Sequence, residues 1–188
     1  MTIDEIFLKV AYHLLNGVMF HDQLVQGFRF LSLPGYTECQ EYHYLEERKN
    51  YNDFRAYYIE HYNQLINIEP FKNETIIPLN WFKHSRFDVD TNTKRNAIRD
   101  FYKKWMDWER DTKKFLEEQY LELHKINEIA AAIIIQHLIQ DVDEELRNVE
   151  NHFLKLESIG YDIVQIYDEQ DLLYEQYHTK KQKIYKEG

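Results

Sequence analysis

The sequence predicts an all-α protein built as an up-and-down four-helix bundle, and three observations carry that prediction. Apolar residues recur at three- and four-residue spacing over long stretches, the 188 residues include only five glycines and three prolines, and the breakers fall between those stretches. The length suits one domain with a sizeable core, assigned to residues 1–178 and followed by a basic tail at 179–188.

The first helix is expected from Ile3 to Leu31, with Thr2 as its N-cap and Ile6, Phe7, Val10, Leu14, Val18, Val25 and Phe28 on the apolar face. Leu33-Pro34-Gly35 should break it. A second helix from Thr37 to Ile66 places Tyr44, Tyr51, Phe54 and Tyr58 on one face. A long crossover, Asn67 to Thr93, holds Pro70, Pro78, a short extended piece at Ile76-Ile77 and a polar run from Asp88 to Thr93. The third helix, Lys94 to His124, carries Ile98, Phe101, Trp105, Met106, Trp108, Leu116 and Tyr120. The fourth runs from Asn127 to Ser158, with Gly160 as a fitting stop, and a shorter fifth from Asp162 to Tyr177. Short turns after the first and third helices force antiparallel neighbours, and the crossover is long enough to run the length of the bundle.

A net charge of −10 argues against nucleic acid as a partner, because phosphate binding needs a basic patch. Lys180, Lys181, Lys183 and Lys186 read as a solvated end. The longest apolar run, Ile129 to Ile135, is too short to span a membrane, and no signal peptide is visible. The single Cys39 cannot form an intrachain disulfide. A soluble, cytoplasmic protein is expected.

Four acidic residues interrupt the apolar faces. Asp22 lies between Val18 and Val25, Glu47 between Tyr44 and Tyr51, Glu109 after Trp105 and Met106, and Glu145 between Val142 and Val149. Burying four unpaired carboxylates in one core is prohibitive unless protons, basic side chains or a metal compensate. Bundles that hold two metals take one Glu from each of two helices and a Glu-x-x-His from each of the other two. Here the order is Asp22, Glu47-x-x-Asn50, Glu109 and Glu145-x-x-Asn148, with Asn at both His positions. His21 adjoins Asp22 and His43 stands four before Glu47, so either is a candidate imidazole or a hydrogen-bonded core residue. Arg29, two turns from Asp22, and Lys113, four after Glu109, offer neutralisation without metal. Asp88-x-Asp90-x-Asn92 lacks the Gly and distal Glu of a calcium loop and reads as a polar turn. No phosphate loop, dinucleotide fingerprint or Ser/His/Asp set is present.

In this order and spacing the chain resembles the ferritin family. Gly35-Tyr36-Thr37 through Glu46-Glu47-Arg48-Lys49-Asn50 is similar to the family's Gly followed by Glu-Glu-x-x-His, and Leu15-Asn16 with Asp22 to its first-helix pattern. Trp108-Glu109 resembles the family's His-Glu, and Asp141-Val142-Asp143-Glu144-Glu145 its Glu-Gln-x-Glu-Glu. Ile159-Gly160 and Ile166-Tyr167-Asp168 resemble the end of its fourth helix and the start of its short fifth. The resemblance implies a ferritin-like bundle with a di-iron centre that binds Fe(II) and oxidises it with O2 or peroxide, in iron storage or detoxification. The implied ligands are Asp22, Glu47 and Glu109, with Glu145 or Asp141 at a third position and no catalytic residue apart from them. Asn50 would be a weak ligand, with Asn148, His21, His43 and Arg29 beside the set. It departs from the family at Asn50, at Val142, where a Gln or Glu ligand stands, and at Arg29, where a Tyr stands. An all-oxygen site favours Mn(II), Mg(II) or Ca(II). The alternatives are a non-catalytic bundle, structural or partner-binding, with Arg29 in place of metal, and a di-metal oxidase acting on an organic substrate. Expected partners are metal ions and, if the bundle builds a storage cage, further copies of the chain.

Overall fold

The computed structural model describes residues 1–66 and 89–187, and five helices account for nearly all of them. They are α1 (Ile3–Phe30), α2 (Pro34–Tyr62), α3 (Thr91–Lys125), α4 (Ile129–Ser158) and α5 (Ile163–Glu187). The crossover expected over 67–93, with its extended piece at Ile76-Ile77, lies mostly outside the described residues; Thr91 to Thr93 are already helical.

Local chemistry explains the ends. Thr2 accepts from the Glu5 N–H while the Glu5 carboxylate accepts from the Thr2 N–H, closing a capping box at the start of α1. Asp90 is the N-cap of α3, accepting from the Thr93 N–H at 2.7 Å; Asp88 lies outside the described residues. Pro34, expected as a stop, instead opens α2. Proline fits the first helical turn, where its missing N–H has no partner to lose. The reversal is made one step earlier, by Ser32 in the left-handed region (φ 58°). Asn127 (φ 60°) turns α3 into α4 in the same way. α2 ends at Tyr62, earlier than expected, with Asn63 left-handed at its cap.

The tight turns pair α1 with α2 and α3 with α4 as antiparallel neighbours, and α1 meets α3. The fifth helix does not stop at Tyr177. It continues to Glu187 through the lysines expected to form a tail, and packs along α2. Lys181 forms ion pairs with Glu38 and Glu41, Glu169 meets His152 (3.0 Å) and Lys155 (2.6 Å), and Tyr177 is buried. A β-carbon on Gly35 would lie 2.6 Å from the Gln170 carbonyl carbon and 2.7 Å from its Cα, so only glycine lets α5 approach α2 this closely.

The core falls into two apolar halves. One gathers Phe20, Leu24, Phe28, Ile98, Phe101, Val149 and Leu156, and the other Phe7, Val10, Leu14, Phe54, Leu116, Ile135 and Leu138. Buried polar residues stand where each helix passes from one half to the other: His21 on α1, Gln40, His43 and Glu47 on α2, and Glu109 and Thr112 on α3. Glu145 occupies the corresponding place on α4, between Val142 and Val149. The bundle is thus two hydrophobic cores separated by one polar layer.

Candidate metal centre

α1 sends His21 into the polar layer, not Asp22. The buried stripe of α1 runs Gly17, His21, Leu24 and Phe28, and Asp22, about 100° further round the axis, is half-buried. Gly17 shapes the layer as well: a β-carbon there would stand 3.0 Å from the Glu47 carboxyl, so its absence lets Glu47 rest against α1.

The His21 ring is completely buried, and its Nδ1 lies 2.9 Å from Gln40 Oε1. With Nδ1–H donating to that carbonyl, the Nε2 lone pair faces Glu109 Oε1 (3.9 Å) and Glu145 Oε1 (3.8 Å) and has no hydrogen-bond partner. Glu109 Oε2 is likewise buried and unpartnered. His21, Glu109 and Glu145 offer donor atoms that all lie within 4.8 Å of one another, a group able to coordinate a metal ion. From α2, His43 Nδ1 comes within 2.9 Å of Glu145 Oε1, and its ring meets Trp105 edge-on at 4.9 Å between centroids.

Trp105 ties the acids together. Its single indole N–H is shared between Glu109 Oε1 (3.0 Å) and Glu145 Oε1 (3.1 Å), so one donor on α3 fixes an oxygen on each of two helices. Removing it should loosen both. Trp105→Phe is expected to weaken binding of Zn(II) about tenfold or more, measured by competition with a chromophoric chelator, while the far-ultraviolet circular dichroism stays helical. Unchanged affinity would deny the indole any positioning role.

Burial and mutual repulsion set the protonation states. Burial, helped by the Glu145 charge, pushes the Glu47 carboxyl up to about 8. Burial, then the Glu145 charge, holds Glu109 well above the usual carboxylate range. Burial works against charge on Glu145 too, but the His43 imidazolium overcomes it and holds that carboxyl at about 2. For His43 the penalty of burial is outweighed by Glu145, so the ring stays charged well above its ordinary value, whereas burial lowers His21 to about 4. Without metal the layer therefore holds one ion pair, His43–Glu145, amid neutral Glu47, Glu109 and His21.

The layer opens to one side through a cleft of about 270 Å³ between α2, α4 and α5, whose walls include His43, Glu47 and Glu145. Asn50, Asp141 and Asn148 also line it. Glu47, Glu109 and Glu145 thus come together, joined by His21 and His43, with Asn50, Asp141 and Asn148 on the approach. Asp22 and Arg29 do not join them. Arg29 is exposed and forms an ion pair with Glu41, and Lys113 pairs at 2.6 Å with Asp143 on the surface, so neither cation neutralises the acids. His43 holds that position instead. Because two imidazoles face the carboxylates, the donor set is not the all-oxygen one expected from Asn50 and Asn148. Gln40 and Trp105 have no motif of their own, and only their helical spacing from His43 and Glu109 points at them; Tyr177, on α5, carries no such signal.

The fold can be placed among known structures. An open-pore ferritin from the hyperthermophilic archaeon Archaeoglobus fulgidus superposes with a TM-score of 0.73 at 12% identity, over 91% of this chain and 94% of that one. A closed form of the same ferritin, engineered by site-directed mutagenesis, gives 0.73 and 12% over 93% and 96%. This chain has a ferritin-like fold. No protein-family model matches this ferritin-like bundle, and no curated protein sequence matches it significantly. Among the described residues, no helix is long and apolar enough to cross a membrane.

Proposed function

We propose that this ferritin-like bundle binds a divalent transition metal, iron before others, in the layer formed by His21, His43, Glu47, Glu109 and Glu145. The observation that carries the reading is the buried, unpartnered Nε2 of His21 facing two carboxylate oxygens beside the equally unpartnered Glu109 Oε2. A lone pair aimed at carboxylates is repulsive unless a proton or a cation stands between them. Imidazole with carboxylate suits Fe(II), Mn(II) and Zn(II) and disfavours Mg(II) and Ca(II), which prefer oxygen alone. Gln40 fixes the His21 tautomer that leaves Nε2 free, and Trp105 positions the Glu109 and Glu145 oxygens that face it while Glu109 Oε2 stays unpartnered. Fe(II) held there would be a substrate whose electron passes to O2 or peroxide. The cleft admits small molecules of that size, and Asn50 and Asp141 would be the residues a cation passes first.

The test is anaerobic titration of chelator-free protein with Fe(II), followed by air. Stoichiometric binding and oxidation are expected, with affinity at least tenfold weaker in His21→Ala and Glu109→Ala. No binding at any ratio would sink the reading. Iron storage additionally requires many copies around a cavity, so the mass in solution separates a storage cage from a lone bundle.

One observation favours a second reading, a metal-free bundle with a structural or partner-binding role. The His43–Glu145 ion pair already balances the only fixed charges of the layer. In that case His43→Gln destabilises the protein and added metal restores nothing.

A further inference from the structure

We propose that α5 governs how fast cations reach the polar layer, through the Lys180 ammonium held in the mouth of the cleft. This rests on the reading of the layer as a cation site. Lys180 Nζ lies 4.8 Å from the centre of the Tyr177 ring and 5.1 Å from that of Tyr42. Both tyrosines and Lys180 line the same cleft as His43, Glu47 and Glu145. The charge is therefore fixed on the path between solvent and the candidate ligands. Cation–π attraction to two rings holds it more firmly than a solvated surface lysine.

The helix that carries it is a wall and not a flap. Lys181, the next residue, is clamped by Glu38 and Glu41 of α2, Tyr177 is buried one turn before, and Glu169 is bound to His152 and Lys155 of α4. Other charges face the mouth. Lys49 and Glu144 both stand near Asp141, and Glu144 also acts on Tyr42. Glu46 accepts a hydrogen bond from the Tyr42 hydroxyl and has a carboxylate oxygen 3.6 Å from His43 Nδ1. Of the two lysines that line the cleft, Lys49 and Lys180, Lys180 is the one held over aromatic rings. A +2 ion passing about 7 Å from an ammonium in water-like surroundings is disfavoured about sevenfold. The penalty acts mainly on the rate of arrival, because Lys180 is not among the groups that would hold the ion.

Stopped-flow mixing of the full chain with Co(II) alone, followed by its visible absorption, tests this. His21→Ala serves as the control that ties the signal to the layer. Lys180→Gln should bind about five to ten times faster than the unmodified protein at low ionic strength, with the same final stoichiometry. Lys180→Arg should keep the original rate. The advantage of Lys180→Gln should shrink in 0.5 M salt, where screening acts within about 4 Å. Equal rates for the unmodified protein and Lys180→Gln, with Co(II) bound by both, would overturn the role of Lys180 and leave the metal site standing. No Co(II) bound by either would overturn both.

Discussion

Gly35→Ala should unseat the fifth helix. The added methyl would overlap the backbone of Gln170, and neither α2 nor α5 can yield by turning a side chain. Overpacking against backbone belongs at the upper end of such costs, about 3 kcal/mol, and for a chain of this size that lowers Tm by roughly 6–12 °C. Calorimetry gives the shift. Hydrogen exchange locates it, with amides of α5 losing protection while those of α1 and α3 keep theirs. A variant within a degree or two of the original Tm, with α5 still protected, would mean that the helices do not meet as closely as described. Because Tyr177 and Lys180 travel with α5, the same variant should open the cleft to solvent.

Metal-free protein should lose stability as pH rises from about 6.5 to 8, and bound metal should reverse the trend. Glu47 has a folded pKa near 8, above its unfolded value, so the folded state holds the extra proton in this window and its contribution fades as that proton leaves. Glu109 and His43, both raised, act in the same sense. His21, lowered to about 4, and His13, lowered by burial to about 4 despite Asp111, act oppositely but finish by about pH 6.5, where unfolded histidines lose their protons. Above that pH only the falling contributions remain. From Glu47 alone the loss between pH 6.5 and 8 is about 1.5 kcal/mol, or roughly 3–6 °C. A metal ion must displace these same protons, so its affinity should climb with pH and its binding should release protons. Thermal unfolding with and without Zn(II) across this range, and titration calorimetry in buffers of different ionisation enthalpy, measure both. Stability that is flat or rising in the metal-free protein would contradict the protonation states assigned to Glu47 and Glu109.

Much of the bundle is legible in the sequence because helical spacing reports burial directly. Val10, Leu14, Phe28, Phe101 and Trp105 fall on the faces that their spacing predicts. Glu47 and Glu109 are legible as buried for the same reason, being acids flanked by aromatic residues one turn away. His21 and Asp22 are harder to separate. They are adjacent, and an apolar stripe as wide as Val18 to Val25 admits either, so the choice depends on Gln40 and Glu145 arriving from other helices. The reach of α5 has a similar cause. Lys180 and Lys181 look like a solvated run until α2, far away in sequence, supplies Glu38 and Glu41 to Lys181 and the Tyr42 ring to Lys180. Pro34 is ambiguous by nature, since the residue that stops one helix is also suited to begin the next.

The division of the core has a consequence for how this protein can change over time. Phe7, Phe54 and Ile135 at one end, and Phe28, Phe101 and Leu156 at the other, supply cohesion without help from the middle. Polar residues in the middle can therefore be exchanged one by one, an acid for an imidazole or an imidazole for an amide, without dismantling the architecture. A scaffold of this kind tolerates chemical change at its centre while the two ends hold its shape.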